Sequence, residues 1–595
     1  MTKRHGIPAP ATPADAPLRP PAGRTGRLPL ALLLAFTAVY ALLTAVAAWR
    51  TYTPVPIWDM WGAIDFYADA QAGVGWQAWW RLFNEHRLVL AKTLFWMEYA
   101  WFGGQQVFLL AMNYVLVACG VATFHAFLRK RLPGMPRGQA VFAVTLLALW
   151  LFSWVQKENL SWAFQSQFFL AQLLPLTGFY ALYRAARGPS AGWFAAACAL
   201  GVLSVGTMIN GIMALPMMVL YAAVARLGWR RAAVLALLAA GCIAAYTADY
   251  ASPPTHGSVL ASLRGDPLGM VGYTLLYLGS PFLNFAGHLE PSWMGVGQAF
   301  GLLFVALAVA ALVPALRDPR AHRLELALLT FVAYIGGIAF ATAGGRMQFG
   351  LENAVSSRYT TPTLMAWAAL AILHGPWLAG LRGAARALRN ALLVLLLALM
   401  IGVQNNDIRR SDLGHMRMTG ALALEMGVRD GRRIGLLIWD PDLGTHLTRK
   451  ATEMGFGVFG TPALAQAAQA LGTPAPALPA RCHGFVDTLE SLPGEPRFLR
   501  MHGALLPEGA ARGFDAVRLV AADGTVAGYG LPDRWRKRTP PPPAEGPTAR
   551  YLMFTAYLRV PDSAGPAPST VTLQAPGTDC SVALRLPVSM PEPAH

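Results

Sequence analysis

Asp59, within Trp58-Asp59-Met60-Trp61, and the run Asn84-Glu85-His86-Arg87 are the first residues of the chain whose types suit proton transfer and anion binding. A carboxylate held partly out of water can acquire a pKa suited to taking a proton from a hydroxyl, which makes Asp59 the candidate general base. Arginines present planar, permanently charged forks that match phosphate oxygens, so Arg87, Arg346 and Arg358 are candidates for holding a phosphate or diphosphate leaving group. Glu85, His86, Glu158, Asn159 and Tyr359 complete the candidate substrate-binding set. No second histidine stands at ligand spacing from His86 in its loop, and no metal or other cofactor is expected.

Each candidate has a structural competitor. Asp59 follows Pro56 and precedes an amphipathic run ending near Gly73, the setting of a helix N-cap. Glu85-His86-Arg87 also reads as a local cluster of ion pairs that fixes its own loop, and Lys157-Glu158 as an exposed pair. Arg358 beside Tyr359 has the composition of an interfacial anchor, and the tryptophans that of an aromatic belt.

The elements that must position these groups are membrane spans. Hydrophobic residues make up 55% of the 595 and charged residues 13%, and several apolar runs are long enough to cross a bilayer. The net charge of +17 is dispersed in small clusters between the runs, which argues for topology rather than for a nucleic-acid partner. Residues 1–27 form a Pro- and Ala-rich basic tail, expected to be disordered and cytoplasmic. Leu28 to Trp49 is a retained first span, and further spans centre near Val115, Leu147, Leu173, Leu200, Met217, Leu237, Val305, Tyr334, Ala369 and Leu397, about eleven in all. Arg clusters at Arg129 to Arg131, Arg184 to Arg187, Arg226 to Arg231, Arg317 to Arg323 and Arg382 to Arg389 mark cytoplasmic connectors.

Gly269 to Gly287 is apolar enough to cross, but crossing would place two of those clusters outside. Gly279-Ser280-Pro281 is expected to break its helical pattern, which makes it a re-entrant or interfacial segment. The outer connectors then carry the chemistry: the large loop 50–105, Gln156 to Asn159, Asn210-Gly211, His256 with Arg264 and Asp266, and Gly345 to Tyr359. Residues 28–404 form the membrane domain, and 405–595 an extracytoplasmic soluble domain of α/β or β-rich type. Within that domain, Arg433 to Asp440 reads as a strand, Leu443 to Met454 as a helix, and Asp515 to Tyr529 as a hairpin turning at Asp523-Gly524. A Pro-rich break, Thr539 to Pro543, precedes a strand-rich stretch from Arg550 to Pro587. Cys482 and Cys580 both fall in this domain, where a disulfide between them is permitted.

A retained first span, an outer loop opening with an Asp, many spans and an outer C-terminal domain together resemble the GT-C superfamily of polyprenyl-phosphate-dependent glycosyltransferases. The stretches that carry the resemblance are Trp58 to Trp61, Leu82 to Arg87, Glu158-Asn159, Ser357-Arg358-Tyr359, Ile438 to Asp442 and Gly455 to Phe459. The resemblance implies a GT-C-like polytopic fold, a general base at Asp59 and a lipid-linked sugar donor. The acceptor would be a glycan, lipid or protein of the cell envelope, and the chain would lie in a bacterial inner membrane with its C-terminal domain periplasmic or extracellular. Two other function classes stay open: a transporter or flippase of a lipid-linked or anionic solute, and a non-catalytic subunit of a polysaccharide assembly machine. Few charges at mid-span and no internal repeat favour the enzyme.

Overall fold

Long apolar runs satisfy their backbone groups internally, which in hydrocarbon means helix. The computed structural model describes residues 27–188, 190–250, 257–406, 413–479, 482–507, 514–537, 550–560, 569–586 and 590–591. The tail at 1–26, His256 and the Pro-rich break at Thr539 to Pro543 lie outside the described residues. In chain order the helices are α1 (Arg27–Thr51), α2 (Trp61–Gln71), α3 (Trp76–Trp80), α4 (Val89–Trp101), α5 (Val107–Arg131), α6 (Arg137–Leu151) and α7 (Lys157–Ser161). There follow α8 (Ser166–Ala186), α9 (Ala191–Val205), α10 (Ala214–Val224), α11 (Trp229–Thr247), α12 (Val259–Gly265), α13 (Pro267–Ala286), α14 (Met294–Arg317), α15 (Arg323–Arg346), α16 (Thr360–Gly380) and α17 (Gly383–Asn406).

Among the described residues eight helical stretches are long and apolar enough to cross a membrane, including Leu30–Thr51, Val107–Arg131, Arg323–Phe349 and Gly383–Gln404. Eight of the expected spans coincide with these. Of the other three, Leu200 and Met217 sit in shorter apolar helices, Ala191–Val205 and Ile209–Val224. Leu173 lies in α8, whose buried Ser166, Gln167 and Gln172 make it more polar than its neighbours.

The two kinds of connector separate to opposite ends of the bundle. At one end arginines cap helix C-termini: Arg231 donates to Ala185 O at 2.8 Å, Arg323 to Ala186 O and Ala225 O, and Arg389 to Leu378 O at 2.7 Å. Arg131 pairs with Glu325 at 2.5 Å at the same end. Cations placed on the last carbonyls also oppose the negative end of each helix dipole. The loops that hold Asp59, Glu85, Glu158 and Arg358 gather at the other end.

The sequence expectation for α13 needs correction in one respect. Gly279-Ser280-Pro281 does not break the helix, which is continuous from Pro267 to Ala286. Neighbours support the carbonyls around the proline: Trp367 Nε1 donates to Leu278 O at 2.9 Å and Asn284 Nδ2 to Ser280 O at 3.0 Å. Gly279 is needed for a different reason, because a Cβ there would meet Gly297 O of α14 at 1.9 Å. Both halves of α13 bond one segment at the site end, Tyr273 to Asn353 at 3.2 Å and Asn284 to Val355 O at 3.2 Å. The helix therefore lies obliquely along that end instead of running from one end of the bundle to the other.

The C-terminal region is mixed helix and sheet. Helices α18 (Leu413–Met426), α19 (Gly431–Ile434) and α20 (Pro441–Glu453) precede an eight-stranded sheet of order β7-β6-β3-β4-β5-β2-β1-β8. The strands are β1 (Cys482–Leu492), β2 (Glu495–Pro507), β3 (Val517–Val520), β4 (Val526–Lys537), β5 (Arg550–Arg559), β6 (Thr570–Ala575), β7 (Cys580–Arg585) and β8 (Met590–Pro591). All neighbours are antiparallel except β1 with β8. Asp523-Gly524 sits between β3 and β4 as expected. A disulfide joins Cys482 of β1 to Cys580 of β7, so the sheet curls until its two sides meet. Arg433 to Asp440 is not a strand: the Asp430 carboxylate accepts from the Arg433 N–H at 3.1 Å and starts α19 there instead.

One hydrophobic core runs from the loop 50–105 into this region, with Trp61, Phe66, Phe95 and Phe164 packed among Leu422, Leu437, Phe459 and Tyr557. Asp65 pairs with Lys450 at 2.7 Å across the same seam. The loop 50–105 and the C-terminal helices are thereby packed as one body.

Candidate functional site

Asp59 stands in a single 3-10 turn, Trp58–Met60, between an extended segment and α2. Its carboxylate caps neither element, since the N-caps are Ile57 and Met60 and neither uses a side chain. Leu437 O of the C-terminal helices holds the turn in place, accepting from Trp58 N–H at 2.5 Å and Trp61 Nε1 at 3.2 Å. Trp58 takes a left-handed backbone with φ 48°, a conformation uncommon for a bulky residue.

Asn84 and Glu85 form the corners of a tight turn closed by Phe83 and His86, whose N–H groups donate to each other's carbonyls at 2.8 and 2.9 Å. Asn84 also has a positive φ, 51°, which Asn tolerates and such a turn requires. Gly62 lets this turn approach α2, because a Cβ there would meet the Phe83 ring at 2.1 Å. The consequence is that the Asn84 side chain hydrogen-bonds Asp59.

Four chain-distant segments then supply charge around Asp59. Glu85 pairs with Arg346 at 3.3 Å and lies 3.7 Å from His86 Nε2. Arg358 lies 3.6 Å from Glu158, whose N–H donates to Ser357 Oγ at 3.1 Å. Arg358, Glu85 and Arg346 all lie within electrostatic reach of Asp59. Burial is the largest influence and raises the Asp59 pKa, with Arg358 opposing it and Glu85 reinforcing it.

The remaining candidates hold this arrangement. Asn159, fully buried, donates to Arg358 O at 2.8 Å and to Thr361 Oγ1 at 2.7 Å, so it positions the Arg358 backbone. Tyr359 is buried against Tyr277, ring centroids 5.1 Å apart, with the Arg358 guanidinium 5.5 Å from its ring. His86 Nδ1 accepts from Ile209 N–H at 3.2 Å, which leaves Nε2 as the nitrogen facing Glu85. The exposed ring of Trp58 and that of Phe349, beside Arg346, supply apolar faces at this end.

Arg87 is placed elsewhere. Only 2% exposed, it donates to Tyr246 O at 3.0 and 3.1 Å and to Trp80 O at 2.7 Å, with the Trp80 and Tyr246 rings against it. Its guanidinium is a staple between α3 and α11 and is not directed at Asp59. Lys92 does the same work for α3, with Nζ donating to Ala78 O, Trp79 O and Arg81 O. Ser356, which donates to Glu158 Oε2 at 3.5 Å, was not singled out by the sequence; a serine beside the Ser357-Arg358-Tyr359 run was the only signal.

Among the described residues no three His, Cys, Asp or Glu side chains converge as metal ligands would. No protein-family model matches the chain, and no curated protein matches it.

Proposed function

We propose that this chain is a membrane glycosyltransferase that moves a sugar from a polyprenyl-phosphate carrier to a hydroxyl of a glycan, lipid or protein acceptor. An Asp59 carboxylate oxygen takes the acceptor proton as the acceptor oxygen bonds to the anomeric carbon. The bond from that carbon to the phosphate oxygen breaks, and its electron pair leaves on the phosphate. Arg358 and Arg346 stabilise the charge that develops there. A single displacement inverts the anomeric centre.

The observation that carries this reading is the slack in the ion pairs around Asp59. Three ion pairs remote from Asp59 are tight: Arg131–Glu325 at 2.5 Å, Lys450–Asp65 at 2.7 Å and Arg500–Asp430 at 2.8 Å. Arg346–Glu85 at 3.3 Å and Arg358–Glu158 at 3.6 Å are longer than a good charge-assisted hydrogen bond. Guanidinium groups held this loosely, beside a half-buried carboxylate and exposed aromatic rings, can turn to phosphate oxygens when a donor arrives.

The test is Asp59→Asn in membranes supplied with polyprenyl-phosphate sugars. Removing the base is expected to lower turnover by about 10²-fold or more while leaving insertion and thermal stability intact. Wild-type turnover in correctly inserted Asp59→Asn protein sinks the assignment.

A further inference from the structure

A second recess lies where Arg417 of α18 meets the ends of α1 and α5. Ile57, Trp162 and Tyr52 are among its walls. The edge contact between the Trp58 and Trp162 rings, centroids 5.5 Å apart, joins one wall of this recess to the turn that carries Asp59.

The lining groups divide unequally between donors and acceptors. Tyr52 Oη donates to Gln105 O at 2.6 Å, Gln106 Nε2 to Pro54 O at 2.8 Å, and Ser161 Oγ to Lys157 O at 2.7 Å. Thr53 Oγ1 accepts from Val55 N–H at 3.3 Å. Among the lining residues two buried polar atoms have no partner, Arg417 Nε and Trp162 Nε1, and both carry N–H. Trp162 is only 5% exposed. Arg417 has no carboxylate partner among the described residues, and burial alone pulls its guanidinium below the usual range. An unsatisfied donor and an uncompensated cation in one recess are costly together, and an anionic acceptor relieves both.

We infer that the recess formed by Arg417 and Trp162 binds a phosphate group. Its level in the fold is that of lipid headgroups, because Thr51 ends α1 and Gln106 precedes α5. The phosphate belongs to a ligand other than the one at Asp59, since neither Asp59 nor Arg346 nor Arg358 is among the residues that line the recess. The inference stands whether or not Asp59 transfers sugar.

The experiment uses the full chain in neutral detergent and radiolabelled dioctanoyl phosphatidic acid as probe. Arg417→Gln is expected to weaken binding about tenfold or more and Trp162→Phe by about threefold, with Arg417→Lys, which keeps the charge but not the Nε–H, falling between wild type and Arg417→Gln. Dioctanoylglycerol, which lacks the phosphate, should not compete. Competition by inorganic phosphate at equal concentration assigns the site to the free anion, and its failure assigns the site to a lipid headgroup. Asp59→Asn should bind as wild type does, which separates this site from the proposed transfer reaction. Unchanged binding in folded Arg417→Gln, effective competition by dioctanoylglycerol, or no binding of either phosphate probe to wild type overturns the inference. If Arg417→Gln does not fold, Trp162→Phe and the competition arms decide the matter.

Discussion

At the scale of single residues, the left-handed backbone of Trp58 is the feature that sequence alone could not show. Positive φ at a bulky side chain costs on the order of 1–3 kcal/mol and persists only where surroundings over-determine it, here through Leu437 O. That strain aims Asp59 toward Glu85 and Arg358 instead of into a helix cap, so the capping alternative fails on geometry. The pKa of Asp59 is raised, so an activity that needs its ionised form should lose its acid limb above the ordinary carboxylate range. Arg358 lowers that pKa and Glu85 raises it. Arg358→Gln is therefore expected to move the acid limb of kcat/KM to higher pH, and Glu85→Gln to move it to lower pH. Shifts in the same direction from both variants would show that Asp59 is not the titrating group. For stability the sign is opposite to that of a salt-bridged acid. Between the unfolded and the raised folded pKa the native state binds more protons, so stability falls as pH rises through that window. Asp59→Asn should for that reason be at least as stable as wild type at neutral pH.

At the scale of elements, Arg87, Lys92 and Glu98 of the loop 50–105 all work on helix ends. The carboxylate of Glu98 is fully buried and accepts from the N–H groups of Gln106 at 2.8 Å and Leu109 at 3.1 Å, which closes the first turn of α5. Glu98→Ala leaves those donors buried without a partner and should lower unfolding stability by about 3 kcal/mol. A shift in thermal midpoint that Glu98→Gln largely restores would support capping; no shift would refute it. This economy explains which parts of the fold were legible. Apolar runs and Arg-only connectors are read from composition, and eight expected spans coincide with helices of spanning length. Pairings decided by distant backbone are not. Arg87 has the residue type of a phosphate ligand, yet its partners are the carbonyls of Trp80 and Tyr246, and no local pattern announces them. Pro281 suggests a break, but the indole of Trp367 and the amide of Asn284 support the carbonyls beside it. Arg433 to Asp440 has a strand's composition but finds no strand partner, and Asp430 begins a helical turn there first. The candidate site was legible as residue types at Asp59, Glu85, Glu158, Arg346 and Arg358. Arg417 and Trp162 were not, since residues of α18 and of the turn after α7 reach one recess only in the folded chain.

At the scale of the whole molecule, the separation of arginine caps from polar loops defines two faces. The polar face also bears the C-terminal sheet, since Trp61, Leu437 and Tyr557 belong to one core. A disulfide in that sheet forms and persists in an oxidising compartment, which argues that the polar face looks outward. Arginine-rich connectors at the opposite face agree with the usual excess of positive charge on the cytoplasmic side. These two arguments are independent, and a labelling experiment tests both at once. With Cys119, Cys198 and Cys242 replaced by serine, the only cysteines left are the bonded pair in the sheet. Gln77→Cys and Trp439→Cys then report the polar face, where Trp439 is 83% exposed, and Arg320→Cys reports the arginine face. A membrane-impermeant maleimide added outside intact cells is expected to label the first two and to reach the third only after lysis. Labelling of Arg320→Cys in intact cells, or protection of Trp439→Cys, would invert the orientation. Asp59 would then face the cytoplasm, and a donor presented on the outer leaflet could not reach it.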